Sequence, residues 1–346
     1  MIDVIIPAYN SQDTIIRTLS SLAMQLNRDE LVVTIVNDGG NGYGEIVNQF
    51  KPLLNIQEIG YEKNMGPGYA RQYGIDNTKE DFITFIDADD TCFEACSLSL
   101  LSQPLKDSSL KFIISPFIQV GPNCEQGTMP ANLVWIFGHM YRRSFLTKHN
   151  IRFTPTRANE DVGFNSQCNL IATWEAGENG GKAMDYPTYQ WHYNHASITR
   201  RGKSEYEYGI CTPGYIYNLH NAYDVAQREG VPLKMIAPSA LETAFSCFIY
   251  YNIALAKDVP AETLAAIEEL SRKFYYAYYN QIQEFISKDE YNQMYTNSYN
   301  SKMNHAQGII FKMTLDQFIE LMFSKPVSET TYADMEANVQ KIAEQL

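Results

Sequence analysis

The sequence predicts an α/β fold, with a mostly parallel sheet flanked by helices and followed by a mainly helical C-terminal region. Over the first 120 residues, short apolar segments alternate with helix-like segments. After Gly202, apolar residues recur at helical spacing over long stretches with few helix breakers. Such alternation is typical of right-handed strand–helix–strand crossovers, which place helices on both faces of a parallel sheet.

Each element has a local signal in the sequence. Five segments have the apolar, β-branched composition of buried strands, namely Asp3–Pro7, Leu31–Val36, Ile56–Gly60, Asp81–Ile86 and Lys111–Val120. Four segments between them predict helices, namely Thr14–Leu26, Tyr43–Phe50, Pro67–Asn77 and Phe93–Leu101. Ser11 is suited to cap the first of these helices. Four later helices are predicted over Ala240–Ala256, Ala261–Ser287, Thr314–Phe323 and Tyr332–Leu346.

Length and composition indicate a folded chain of two parts. The chain has 346 residues, of which 45% are hydrophobic, and this is more than one ordinary domain needs for its core. The change of pattern after Arg201 predicts a first domain of residues 1–201 and a helical region of residues 202–346.

The charge of the chain bears on its partners. A formal net charge of −13 disfavours nonspecific binding to nucleic acid or to an anionic membrane. A local cluster of basic residues opposes that trend and consists of Arg142, Arg143, Arg152, Arg157, Arg200, Arg201 and Lys203. Two interpretations of the cluster stay open, a solvated surface or a set of contacts to phosphates or to an anionic acceptor.

Targeting signals are missing from the sequence as given. The first residues lead directly into an apolar strand without the basic segment of a signal peptide, and no apolar stretch is long enough to span a bilayer. The six cysteines are scattered and form no CxxC pair, as is typical of reduced cytosolic thiols. We therefore expect a cytoplasmic protein without a membrane span.

Polar groups follow four of the predicted strands. They are Ala8–Asn10, Asn37–Gly39, Glu62–Asn64 and Asp87–Asp90. Because ligands of open parallel sheets bind at the carboxyl ends of the strands, these groups are expected to line one cleft.

The run Asp87-Ala88-Asp89-Asp90 is the strongest local signal for chemistry. A hard cation such as Mn²⁺ or Mg²⁺ prefers oxygen ligands and binds one or two carboxylates together with substrate phosphates. Such a cation would neutralise the charge on a departing diphosphate. The alternative is an acidic turn that caps the next helix.

Seven segments in order along the chain extend this signal, namely Val4–Asn10, Asn37–Gly40, Asn64–Gly74, Phe85–Asp90, Gly138–Leu146 with Ile151–Phe153, Asn159–Phe164 and Tyr189–Thr199. Together they resemble the motifs of family 2 glycosyltransferases, which have the GT-A fold. The resemblance covers roughly residues 1–200. It implies a nucleotide-sugar half over residues 1–120 and an acceptor half over residues 121–201.

The resemblance also implies roles for individual residues. Those expected to bind the nucleotide sugar are Pro7, Tyr9, Asn10, Asp38, Asn64, Gly66, Arg71, Asp87, Asp89 and His192. Those expected to hold Mn²⁺ or Mg²⁺ are Asp89, Asp90 and His192, with His195 as a second candidate histidine. Asp161 is expected to be the general base, and Glu160 to position the acceptor.

Purely structural interpretations remain open for several of these residues. Tyr9 could simply pack, Arg71 could lie on a helix surface, and Asp161 could be an ordinary acid at a helix start. Three positions also depart from the family pattern, because Asn37, Gln72 and His192 stand where the family usually has Asp, Asn and Arg.

The function implied is that of a metal-dependent, inverting glycosyltransferase. It would move a sugar from a UDP-linked donor to an acceptor hydroxyl by single displacement. The acceptor would be a glycan or a lipid-linked glycan, and the alternative is a hydroxymethylated DNA base, as in phage DNA modification. An alternative from another class of function is a non-catalytic sugar-nucleotide or glycan-binding module. The helices after Gly202 could bind the acceptor or mediate homo-oligomerisation.

Overall fold

The computed structural model describes residues 1–106, 109–195, 211–303, 308–335 and 337. The chain divides into two compact units, Met1–His195 and Ala196–Leu346. The predicted boundary at Arg201 lies outside the described residues, as do Arg200 and Lys203 of the basic cluster and most of the predicted helix Tyr332–Leu346.

The first unit alternates strands and helices. Its strands are β1 (Ile2–Ala8), β2 (Leu31–Asp38), β3 (Asn55–Tyr61), β4 (Phe82–Phe85), β5 (Thr91–Cys92), β6 (Phe112–Ile114), β7 (Phe117–Val120), β8 (Gln126–Met129), β9 (His139–Arg142), β10 (Gly181–Ala183) and β11 (Tyr189–His192). Its α-helices are α1 (Gln12–Ala23), α2 (Gly44–Phe50), α3 (Pro67–Asp76), α4 (Ser97–Lys106), α5 (Arg143–Lys148) and α6 (Glu160–Ala176). Short 3₁₀ turns occur at Arg28–Glu30 and Gly177–Asn179.

A mostly parallel sheet forms the centre of this unit, as the sequence predicts. Within the described residues it has seven strands, in the order β10-β6-β9-β4-β1-β2-β3. Strands β4, β1, β2 and β3 run parallel, so their carboxyl ends meet at one edge. Strand β9 is antiparallel to both of its neighbours, β4 and β6.

Helices cover both faces of the sheet because the central strand is apolar on both. Successive side chains of a strand point to opposite faces. On one face, Val4 and Ile6 join a buried cluster with Leu19 of α1. On the other face, helix α3 packs so closely that a Cβ at Gly74 would lie 2.5 Å from Cγ2 of Ile5. Glycine is therefore needed where α3 crosses β1.

The prediction of one strand over Lys111–Val120 is wrong. Pro116 has no N–H to donate to a strand partner, and the chain passes from one sheet to another at this point. Strand β6 stays in the main sheet, whereas β7 joins a second sheet with the order β5-β11-β7-β8 among the described residues. Ser115 donates its N–H to the carbonyl of Gly138, and Thr188 donates its N–H to the carbonyl of Pro116 at 3.3 Å.

Helix α4 begins four residues later than the sequence predicts. The predicted first residue, Phe93, instead donates its N–H to the carbonyl of Thr188 and continues the path of β5. Ser97 accepts a hydrogen bond from the N–H of Glu94 through its hydroxyl at 2.9 Å, and the helix begins there.

The second unit is helical. Its α-helices are α7 (Thr212–Arg228), α8 (Leu233–Ala256), α9 (Ala261–Phe274), α10 (Asn280–Ile282), α11 (Lys288–Met303) and α12 (Leu315–Phe323). The predicted helix Ala261–Ser287 is interrupted by a π-helical turn at Tyr275–Tyr279 and ends in a 3₁₀ turn at Gln283–Phe285. Thr314 and Gln317 form a capping box at the start of α12.

The core of the second unit combines aliphatic and aromatic side chains, and Phe248, Phe274, Tyr275 and Phe318 are among the buried aromatic residues. No helix in the described parts of either unit is long and apolar enough to cross a membrane.

Candidate active site

Asp38 organises the edge where β2 ends. Its Oδ1 accepts the N–H of Met65 at 2.7 Å and its Oδ2 accepts the N–H of Gly66 at 2.9 Å. Gly66 has a φ of +91°, a conformation that favours glycine, and it immediately precedes α3. Burial raises the pKa of Asp38, and the two backbone donors act in the opposite direction. Asp38, which is expected to bind the nucleotide sugar, is thus buried and joins the end of β2 to the turn before α3.

The turn after β1 presents the most exposed of the predicted donor residues. Pro7 pairs with Val36 inside the sheet, whereas the side chain of Tyr9 is 50% exposed. Asn10 adopts a left-handed conformation with a φ of 50°, and its Oδ1 accepts the N–H of Asn41 at 2.9 Å. The ring of Tyr9 is therefore free to contact a ligand at the carboxyl edge.

Arg71 connects two parts of the site. Its guanidinium donates to Glu160 Oε1 at 2.6 Å and to Asp87 Oδ1 at 2.7 Å, and the side chain is only 5% exposed. Burial by itself lowers the pKa of Arg71, but the carboxylates of Asp87 and Glu160 outweigh burial and raise it. Arg71 is therefore not a surface helix residue. It joins the acidic run after β4 to the start of α6.

The pair Glu160–Asp161 begins α6. Asn159 precedes it in a left-handed conformation with a φ of 59°. Burial first, and then the charge of Glu160, raise the pKa of Asp161 to about 8, although Arg71 acts in the opposite direction. Oδ1 of Asp161 accepts the N–H of Val162 at 2.9 Å. A carboxyl group whose pKa lies near neutral pH is suited to accept a proton from a hydroxyl.

Helix α3 and the start of α6 approach closely because Gly68 lies between them. Gly68 is in the first turn of α3, and a Cβ there would lie 2.7 Å from the carbonyl oxygen of Thr154 and 2.9 Å from Cβ of Glu160. A side chain at this position would have to displace the backbone at Thr154 and the side chain of Glu160. The spacing between Arg71 and Glu160 follows from this close packing.

The acidic run after β4 is tied to the second sheet. Asp90 is buried, and it accepts a hydrogen bond from the Tyr189 hydroxyl at 2.7 Å and another from the N–H of His192 at 2.8 Å. Asp89 accepts a hydrogen bond from the side chain of Asn194 at 2.7 Å. The N–H of Asp87 donates to the Tyr189 hydroxyl at 3.2 Å. Strand β11 thus fixes the carboxylate of Asp90. Asn194, just after the strand, holds the carboxylate of Asp89.

The histidines differ in their placement. The ring Nε2 of His192 lies 3.0 Å from the hydroxyl of Thr91. Burial, followed by the charge of Arg17, lowers the pKa of His192 to about 4, so the ring is neutral at pH 7, the form in which imidazole binds metals. His195 lies edge-on to Tyr193, with ring centroids 4.8 Å apart.

The predicted cation ligands fit a divalent cation by charge. Burial first, and then repulsion by neighbouring carboxylates, raise the pKa of both Asp89 and Asp90. A divalent cation would relieve that repulsion. Across the described ranges, no three His, Cys, Asp or Glu side chains are already grouped to hold a metal ion. The metal site stays a prediction.

The structure also adds residues that sequence reasoning missed. Tyr189 and Asn194 hold the acidic run, and both lie within Tyr189–Thr199, the last of the seven segments noted in the sequence, so that segment carried the signal. Arg157 donates to Oδ1 of Asn64 at 3.1 Å and packs against Gly66, but no spacing in the sequence pairs it with those residues.

Besides Arg157, three further arginines of the basic cluster are engaged within the first unit. Arg142 donates to the carbonyl of Leu110 at 2.9 Å, Arg143 pairs with Asp3 at 2.7 Å, and Arg152 pairs with Asp76 at 2.6 Å. These contacts favour a structural role for the three residues over contacts to an anionic acceptor.

Comparison with solved structures defines the class of fold. The crystal structure of residues 1–349 of TarS from S. aureus in complex with UDP-GlcNAc superposes with a TM-score of 0.63 at 18% identity, and the match covers 91% of this chain and 94% of that chain. A second crystal structure of the same segment of TarS superposes with a TM-score of 0.61. The chain therefore has the GT-A fold.

The sequence comparisons then give the family. The model of glycosyl transferase family 2 matches residues 3–159, and this part of the chain belongs to that family. The glycosyltransferase GlyA of Streptococcus pneumoniae is 31% identical over 90 residues, which are 26% of this chain and 13% of GlyA. The poly(ribitol-phosphate) β-N-acetylglucosaminyltransferase TarS of Staphylococcus aureus is 34% identical over 90 residues, which are 25% of this chain and 16% of TarS. The matched segments thus span less than a fifth of these two relatives.

Proposed function

We propose that the protein transfers a sugar from a nucleoside-diphosphate sugar, UDP-linked, to a hydroxyl of an acceptor. The observation that carries this is the bridge of Arg71 between Asp87 and Glu160, at 2.7 and 2.6 Å. It holds the carboxylates expected to bind the donor beside the pair expected to activate the acceptor. The family match, and the UDP-GlcNAc bound to the similarly folded TarS, support a UDP-sugar donor.

The proposed reaction is a single in-line displacement. Asp161 accepts the proton of the acceptor hydroxyl while that oxygen forms a bond to the anomeric carbon. The bond from the anomeric carbon to the diphosphate oxygen breaks, and the nucleoside diphosphate leaves with the electron pair. Because the hydroxyl enters opposite the leaving group, an α-linked donor gives a β-linked product.

A divalent cation, Mn²⁺ or Mg²⁺, would supply charge neutralisation for the diphosphate. Asp89 and Asp90 would hold it, with His192 as a further ligand. The chain's own contribution is to fix the acidic run through Tyr189, whose hydroxyl donates to Asp90 at 2.7 Å. Asp90 would thus act from a fixed position.

The helical unit is proposed to serve the acceptor, since every predicted donor residue lies before Gly202. The proposed acceptor is a glycan or a lipid-linked glycan. We also propose that these helices mediate contact between copies of the chain.

The test is a turnover assay with UDP-GlcNAc, UDP-glucose and UDP-galactose in the presence of Mn²⁺ or Mg²⁺. UDP release from at least one donor is expected, and EDTA should abolish it. NMR of the anomeric proton should show an inverted product. Full activity in EDTA would remove the cation from the mechanism, and retained configuration would exclude single displacement. Tight donor binding without any turnover would favour a non-catalytic binding module.

A further inference from the structure

The segment between β8 and β9 exposes two apolar side chains near the proposed site. Strand β9 is antiparallel to β4, with Met140 paired to Thr84. The residues that lead into β9 therefore lie at the edge where β4 ends and the acidic run begins. In this segment Val134 is 50% exposed and Trp135 is 37% exposed. Exposed large apolar side chains beside a polar cleft are candidates for ligand contact.

Hydrogen bonds hold the backbone at Trp135, although its side chain is partly exposed. Oδ1 of Asn132 accepts the N–H of Val134 at 2.9 Å and the N–H of Trp135 at 3.3 Å. The side chain of Asn165 donates to the carbonyls of Leu133 and Trp135 at 3.2 and 3.0 Å. The backbone beneath the indole is thus fixed from both sides, and a ligand would lose little free energy in ordering it.

The same contact sets the distance from Trp135 to the proposed base. Asn165 follows Asp161 by four residues on α6. Residues four apart share one helix face and lie about 6 Å apart along the axis. The backbone of Trp135 is therefore fixed to the helix face that carries Asp161, about one turn further along.

A stack of aromatic rings runs from Trp135 to the acidic run. Trp135 stacks on Phe137, with centroids 6.3 Å apart and an interplanar angle of 11°. Phe137 stacks on Tyr189 at 4.9 Å and 15°, and the Tyr189 hydroxyl donates to Asp90. The exposed end of this stack is the indole, and the buried end is the carboxylate cluster.

We propose that Trp135 is the platform on which the acceptor binds, and that the acceptor is an uncharged glycan with a pyranose ring stacked on the indole. This rests on the proposed function and specifies its acceptor. The C–H face of a pyranose is apolar and matches an aromatic ring, whereas an open-chain polyol phosphate has no such face. The net charge of −13 also disfavours a polyanionic acceptor. The acceptor thus differs from the poly(ribitol-phosphate) in the name of TarS.

The test measures binding of cellotriose, maltotriose and chitotriose as neutral probes, and of a ribitol-phosphate oligomer as the anionic probe, by saturation-transfer NMR and calorimetry. The wild-type protein should bind at least one trisaccharide in preference to the oligomer. Trp135→Ala should weaken that binding about tenfold, the effect of exposing one ring face of apolar area. Trp135→Phe keeps a flat ring and should be intermediate. Trp174→Ala is the control: it removes an exposed tryptophan on α6 and should bind the trisaccharide as tightly as the wild type does.

The affinity for UDP, measured on the same samples, separates the two proposals. Trp135→Ala should bind UDP as tightly as the wild type, which also shows that the variant is folded. If the wild type binds no UDP, the proposed function is wrong, and so is the proposed role of Trp135 that depends on it. If UDP binds normally, the platform alone is overturned by equal trisaccharide affinity in wild type and Trp135→Ala, by binding of the ribitol-phosphate oligomer only, or by binding of no probe.

Discussion

The neighbours of Asp161 determine the pH at which it can act as a base. Burial and the charge of Glu160 raise its pKa to about 8, and only the ionised form accepts a proton. We therefore expect kcat/KM to rise with pH up to about 8 and to level off above it. Glu160→Gln removes a negative neighbour, lowers the pKa of Asp161 and should shift this limb of the profile to lower pH.

A control for that shift lies on the same helix. Glu175, in the last turn of α6, contacts Lys148 at the surface, and Glu175→Gln should leave the profile of kcat/KM unchanged. Equal profiles for Glu160→Gln and the wild type would contradict the proposed influence of Glu160 on the base.

The identity of the base gives a second prediction at this scale. Asp161→Asn keeps the size of the side chain but cannot accept the proton, so turnover should fall about 10²–10⁴-fold, the usual contribution of a general base. Calorimetry should show unchanged affinity for the nucleoside diphosphate. Near-normal turnover in this variant would assign the base to another residue.

Arg71 gives the third residue-scale prediction, which concerns stability. Arg71→Ala leaves the carboxylates of Glu160 and Asp87 without their partner, so unfolding in urea should show a loss of about 3–5 kcal/mol. Arg152→Ala breaks an exposed pair whose side chains are 47% and 42% exposed, and it should cost less than about 1 kcal/mol. Similar losses in the two variants would show that the Arg71 bridge is no stronger than a surface pair.

At the scale of elements, the packing of α3 against the start of α6 can be tested through Gly68. Gly68→Ala places a methyl group 2.7 Å from the carbonyl oxygen of Thr154, which should cost about 1–3 kcal/mol and reduce turnover by displacing Glu160. Gly44, in the first turn of α2, has no atom within 4 Å of the same position, and Gly44→Ala should be neutral. Thermal unfolding and the turnover assay measure both effects. If Gly68→Ala had the stability and turnover of the wild type, α3 and α6 could move apart without affecting the site.

The elements also differ in how far the sequence predicts them. Strands β1, β2 and β4 are parallel and buried on both faces, so each is an apolar run that composition reveals. Strands β5 and β11 have two and four residues, too few for any periodicity. Their pairing depends on contacts such as Tyr189 with Asp90, between residues distant in sequence. The segment Asn64–Gly74, which resembles a family motif, likewise marks Arg71 as functional. Only the fold shows that the Arg71 guanidinium contacts Glu160.

At the scale of the whole molecule, the two units should be separable in function. The residues expected to bind the donor all precede Gly202, so a fragment of residues 1–201 should bind UDP as tightly as the full chain. Calorimetry on a fragment with native circular dichroism measures this, with the full chain as the control. A folded fragment that binds no UDP, beside a full chain that does, would assign part of the donor site to the helical unit.

The bond between Asp90 and β11 has a consequence for how the protein is synthesised. A ribosome releases β1 to β4 long before Tyr189 and His192, and N-terminal parts of a chain begin to fold first. Until β11 emerges, Asp90 has neither of the donors that hold it in the finished protein. Nascent chains arrested before residue 189 should therefore form the parallel strands while their acidic run stays hydrated and unfixed. The site matures last, when the first unit is almost entirely outside the exit tunnel.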